Sequence, residues 1–280
     1  MKANSYLQRF GDIELAVRVR GSGIPLVWGH NLLGSIRVDD KADIWQWEEI
    51  EKHAQVVRYD ARGHGNSDGS YAAKDYRWDH LAGDMSCVAQ SITSGSSDQR
   101  YVLGGASMGC ATALEAALQA PENVAGLILV LPPTAWRSRP KQTRIYRRRA
   151  WMSGAFGATP YRMLDFLPNG EHDAQRRLAL TTTKELSHAN PLYVQAALQG
   201  AALSDLPSTG RLAKLTMPTI IFTWTDDKNY PVSTANILAD TLPNIHSVNI
   251  SEADDTGGWS DKICQFMDEI SRSSRRRSAA

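Results

Sequence analysis

Cysteine is scarce in this chain: Cys87, Cys110 and Cys264 are scattered along 280 positions. An odd and irregularly spaced set excludes a disulfide framework and leaves small buried thiols in a reducing compartment as the expectation. Long apolar runs are missing too. None approaches the eighteen or so residues of a membrane-spanning helix, and the opening Met1–Leu7 has no signal-peptide core, so a cytoplasmic protein is expected. Neither sign of charge dominates: Lys and Arg number 31, Asp and Glu 30, net +1. Nothing global therefore draws nucleic acid or a membrane surface. No His/Cys cluster has ligand spacing, so no metal or other cofactor is expected. Internal repeats and low-complexity linkers are absent. Finally, no histidine follows His246.

What is present is an ordinary globular composition, 42% hydrophobic and 22% charged, in a length that suits one large domain with an insertion. Tyr6 to Phe10 and the alternating Ile13 to Arg20 suggest an opening antiparallel hairpin. Buried strands are predicted at Ile24–Trp28, Gln55–Tyr59, Tyr101–Leu103, Gly126–Leu131, Pro218–Thr223 and His246–Ile250. Helical patterns separate them at Ile44–His53, Trp78–Ile92, the residues after Ser107 to about Ala120, Thr234–Leu242, and from Asp261 onward. Apolar strands alternating with helices indicate a mostly parallel sheet covered on both faces. The order breaks after Pro132-Pro133. From Thr134 to about Asp205 only helical segments occur, with Pro160, Pro168 and Pro191 between them. The domain expectation is thus a core of residues 1–133 and 206–280 with a helical cap at 134–205. The basic end, Ser271 to Ala280, reads as a frayed tail.

The central stretch is Arg100-Tyr-Val-Leu-Gly-Gly-Ala-Ser-Met-Gly109. Its G-x-S-x-G pentapeptide, after a strand and before a small-residue helix, reads as a nucleophile elbow with Ser107 on a strained turn. Gly105 and Gly109 relieve crowding there, and the helix N-terminus points N–H groups at charge developing near Ser107. In an open parallel sheet, ligands bind beyond the carboxyl ends of the strands. Ser107 is therefore expected on the floor of a pocket roofed by the cap.

Four landmarks stand in order: the strand ending His30-Asn31, Asp60-Ala-Arg-Gly-His-Gly-Asn-Ser67, Gly105-Ala-Ser-Met-Gly109, and Asp227 followed by Pro231. Together they make the chain similar to α/β-hydrolase-fold proteins of the lactonase and esterase type, over nearly its whole length. The resemblance implies an eight-stranded, mostly parallel sheet. It implies Ser107 as nucleophile, Met108 and Leu32 as backbone donors of the oxyanion hole, and Asp227 as the acid, with Asp226 as its neighbouring alternative. Asn31 replaces the usual glycine and tolerates unusual backbone angles.

The family places its histidine in the loop 251–259, where this chain has Asp254 and Asp255. A serine hydroxyl is a weak nucleophile without a base. Of the other histidines, His30 lies at the right edge of the sheet, and loop bracing is its ordinary role. His172 and His188 belong to the cap. His53, His64, His80 and His246 fall on helices, in a tight loop, or at the far end of a strand.

Arg137, Lys141, Arg144 and Arg148 share one helical face. Turned inward, Arg144 and Arg148 would bind an anionic ligand; turned outward they are a solvated face. The reading is a serine hydrolase of a small ester or lactone, slow or with an atypical base. The alternative is a degenerate member of the fold that binds a small ligand in the same pocket or performs cyclase- or lyase-type chemistry there. Epoxide hydrolase and haloalkane dehalogenase readings are disfavoured, because those families carry aspartate where Ser107 stands. A small molecule is the expected partner.

Overall fold

The opening alternation forms the expected hairpin, β1 (Asn4–Phe10) against β2 (Ile13–Gly21), reversed at Gly11 with φ 62°. The protein is described from a computed structural model covering residues 4–95, 99–162 and 173–278. Six further strands complete one sheet: β3 (Pro25–Gly29), β4 (Gln55–Tyr59), β5 (Tyr101–Ala106), β6 (Val124–Val130), β7 (Thr219–Trp224) and β8 (Ile245–Ser251). The order is β1-β2-β4-β3-β5-β6-β7-β8. Only the β1–β2 and β2–β4 pairs are antiparallel. β5 and β7 are buried at every position, as strands covered on both faces must be.

Helices cover the two faces. On one side α3 (Trp78–Thr93), α4 (Met108–Gln119) and α10 (Val232–Thr241) supply Leu81, Met85, Leu114 and Leu238 to a core with Val27, Val57 and Leu103. On the other, α1 (Ile36–Ala42), α2 (Trp47–Ile50) and α11 (Trp259–Ser278) pack Val38, Trp47 and Phe266 on Trp28, Phe222 and Trp224. The helical pattern at 44–53 yields only the short α2. The preceding α1, capped by the Ser35 hydroxyl on the Val38 N–H at 3.1 Å, carried no visible period over its seven residues. The expected frayed tail is also corrected. α11 runs on to Ser278, because Ser274 is buried and takes a 2.7 Å hydrogen bond from Arg100.

Between β6 and β7 lie α5 (Arg139–Phe156), α6 (Thr159–Arg162), α7 (Ala174–Glu185), α8 (Pro191–Ala202) and α9 (Thr209–Leu212). α5 and α8 pack on each other through Tyr146, Ala150, Val194 and Leu198, a small apolar cluster of their own.

Candidate active site

β5 ends at Ala106 and α4 starts at Met108, which leaves Ser107 alone to turn the chain. Its φ of 55° and ψ of −106° are disfavoured for any side-chain-bearing residue, a strain worth about 1–3 kcal/mol. The Ser107 N–H is held by the Val130 carbonyl at 2.9 Å. The flanking glycines are required by contact: a Cβ on Gly105 would lie 2.5 Å from the Gly29 oxygen, and one on Gly109 would collide with the same carbonyl. Strain collects along this edge. Among described residues, Leu33, Ser107, Leu131, Trp136 and Asp226 are five of the six non-glycine residues with positive φ.

The second loop is a turn closed by the Gly34 N–H on the Asn31 carbonyl at 2.8 Å. Leu33, not Asn31, takes the left-handed conformation, with φ 64°. Leu32 is then the second residue of the turn, whose N–H the turn does not use. Neither the Leu32 nor the Met108 N–H is taken up by an acceptor among the described residues. The Asn31 side chain reaches Leu32 O and Thr182 Oγ1, both at 3.3 Å.

After β7, Asp227 is buried while Asp226 is exposed. Its carboxylate accepts from Trp224 Nε1 at 3.0 Å, from the Asn229 N–H at 2.7 Å, and from Gln175 Nε2 at 2.7 Å. Gln175 comes from α7, whose first residue also bonds the Ala253 carbonyl at 3.0 Å. Gln175, Leu178 and Thr182 share one face of α7 and meet, respectively, the acid, the core beside Trp224, and the Asn31 turn. Tyr230 supplies the remaining polar group. Its hydroxyl lies near that of Ser107 without a hydrogen bond between them, and Tyr146 and Arg149 of α5 are close by. Burial, above all, pushes the Tyr230 phenol well above its ordinary value, so it is neutral at physiological pH.

A profile described as serine aminopeptidase, S33, matches residues 50–250, which include the elbow and the Asp227 loop. The chain belongs to this family. It is therefore an α/β-hydrolase, as both the family and the sheet order require. RutD of Klebsiella pneumoniae (strain 342), provisionally named a carbamate hydrolase, is 28% identical over 223 residues, 73% of this chain and 79% of RutD. Among solved structures, a thermophilic esterase from Thermogutta terrifontis superposes with TM-score 0.74 at 23% identity, covering 98% of this chain and 99% of the other. The enol-lactonase from Burkholderia xenovorans LB400 gives 0.70 at 18% identity, over 95% and 99%.

In this hydrolase none of the six described imidazoles hydrogen-bonds to Ser107 or Asp227. His30 braces its loop: Nδ1–H donates to Asn31 O at 2.8 Å and Nε2 accepts the Ala61 N–H at 2.9 Å. Burial pushes it down to about 4, so neither its lone pair nor its charge is on offer. His64 is pushed down to about 3 by burial and by His30. His53 pairs with Asp268 and His246 lies 3.5 Å from Glu269, both remote from the site. His80 and His188 are exposed, and His172 lies outside the described residues. His188 borders a cavity of about 300 Å³ with Asp60, His64 and Glu185, whose walls do not include Ser107.

Ser107 is buried, 4% exposed. Asp254 and Asp255 are exposed, and neither is among the partners of Asp227. Arg144 and Arg148 face solvent, because α5 buries the opposite stripe of Arg139, Gln142, Tyr146, Ala150 and Ser153. Sequence reading missed Gln175 and Tyr230. Tyr230 stood inside the Asp227–Pro231 landmark and could have been asked about; Gln175 carried no local signal.

Proposed function

We propose that this α/β-hydrolase cleaves a small ester or lactone with a good leaving group, slowly, through Ser107. Residues 134–205 act as the cap that encloses the site. The observation that carries the reading is Ser107 itself, held on a strained elbow, with the Met108 and Leu32 N–H groups uncommitted among the described residues and the Tyr230 hydroxyl near it. Ser107 Oγ attacks the carbonyl carbon, and the Met108 and Leu32 N–H groups receive the oxyanion. A neutral tyrosine is too weakly basic to hold the serine proton. It can pass it on, giving its own proton to the departing oxygen as it takes that of Ser107. The acyl–O–Ser bond forms, the acyl–leaving-group bond breaks, and no charge is left over. Water reverses the relay to release the acid.

With no imidazole among the described residues bonded to Ser107, such a relay is slow. Losing the base of a serine protease costs about 10⁶-fold in turnover, while oxyanion stabilisation and binding retain about 10³–10⁴ over water. Activated enol esters and strained lactones fit that rate, and the likeness to RutD supports a carbamate as a further acyl group. The free thiols Cys87, Cys110 and Cys264 support a reducing, cytoplasmic setting. Gln175 on Asp227 favours a second reading, a binding protein whose acid is occupied by an amide.

Stopped-flow hydrolysis of p-nitrophenyl acetate separates the two. The expected result is a burst followed by slow turnover, an acetyl group on Ser107 by mass spectrometry, loss of both in Ser107→Ala, and acylation slowed by about 10²-fold in Tyr230→Phe. A Ser107→Ala variant indistinguishable from the native chain would establish the binding reading instead.

A further inference from the structure

The outer face of α5 has a basic half and an apolar half. Its N-terminal half turns Lys141, Arg144, Arg147 and Arg148 to solvent. Its C-terminal half exposes Trp151 (64%), Met152 and Phe156 (54%), with Trp151 and Phe156 edge to face at 5.9 Å. The apolar end is extended by exposed Leu192 of α8, since Gly157 lies against Pro191. From Asn123 to Leu164 the sequence contains no acidic residue. Among described residues no carboxylate pairs with Arg144, Arg147 or Arg148. A chain of net charge +1 thus gathers uncompensated positive charge beside exposed aromatic rings on one helix.

We infer that this face docks on an anionic lipid surface. The basic half supplies attraction to negatively charged headgroups, and each such side chain near the surface raises partitioning roughly fivefold (about 1 kcal/mol). Trp151, Met152 and Phe156 enter the boundary between headgroups and acyl chains, where an amphipathic ring is stable. A nucleic acid would use the arginines but leave Met152, Phe156 and Leu192 in water, which disfavours it as the occupant. Docking this way lays the membrane against the outside of the helix whose inner side carries Tyr146 beside Tyr230. Net charge alone had indicated no membrane surface. The local distribution reverses that, without any membrane-spanning helix among the described residues. The inference stands whether or not Ser107 is acylated.

The test is sedimentation of the full chain with phosphatidylcholine vesicles, with and without phosphatidylglycerol, together with tryptophan quenching by brominated lipid. The other seven tryptophans are buried or half-buried, so quenching reports Trp151. Expected are binding to the mixed vesicles only, weakening with salt, quenching that disappears in Trp151→Phe, and affinity at least about 100-fold lower in Arg144→Glu/Arg147→Glu/Arg148→Glu, since losing the three positive charges alone removes three fivefold steps. Failure to bind mixed vesicles, or equal binding by the charge-reversed variant, overturns the inference. Tight binding to duplex DNA without lipid quenching would also overturn it and assign the basic face to nucleic acid.

Discussion

Asp39 sits in the first turn of α1 and is 3% exposed. Burial pushes its carboxyl up to about 7; Asp40 and Asp60 add to the rise and Arg58 opposes it. Between pH 4 and 7 the folded state holds a proton that the unfolded chain has released, so this group's contribution to stability falls as pH rises through that window. Asp39→Asn is isosteric with the protonated acid. It is expected to be more stable than the native chain, with an advantage at pH 8 exceeding that at pH 5 by about 2–3 kcal/mol. Thermal melts at the two pH values decide it; an advantage independent of pH would show that the carboxyl titrates normally. The same burial acts oppositely on His30, where it favours the neutral ring, and the bonds to Asn31 O and from the Ala61 N–H occupy both ring nitrogens.

Among the elements, α7 is the one that meets both the Asp227 carboxylate and the Asn31 turn. Its N-terminus is tied to the Ala253 carbonyl, its middle to the core by Leu178, and its end to α1 by the Arg37–Glu185 pair, with contacts of 2.6 to 3.0 Å. Arg37 is half exposed, so the pair is worth at most about 1 kcal/mol to global stability. It is expected to matter locally. Arg37→Glu should speed amide exchange across 174–186 while the sheet remains protected and the melting temperature moves little. Unchanged exchange in α7, or a uniform increase everywhere, would show that the helix is not held by this contact.

On the scale of the whole molecule, the sheet was legible because its signals are local: continuous apolar strands, a hairpin alternation, and a serine between glycines. Asp227 was legible for the same reason, lying in a short loop after a buried strand. The arginines of α5 were half legible. Their spacing identified one helical face, but only the packing of α5 on α8 decides that Tyr146 and Ala150 go inward and Arg144 and Arg148 outward. Gln175 was invisible, since its bond to Asp227 joins residues 52 apart from an insertion and a core loop, with no periodicity behind it. Yet that bond carries the central claim of the proposal: Ser107 and Asp227 serve as nucleophile and acid, and α7 presents the Gln175 amide to Asp227 where the proposed reaction calls for an imidazole. Histidine at 254 or 255 would stand exposed and is expected to change nothing. The direct measurement is turnover of p-nitrophenyl acetate by Gln175→His, alone and combined with Ser107→Ala. The account predicts a gain of at least about 10²-fold, rising as pH passes about 6.5 and abolished by Ser107→Ala. A correctly folded Gln175→His chain with no gain, or a gain that survives loss of Ser107, would contradict it.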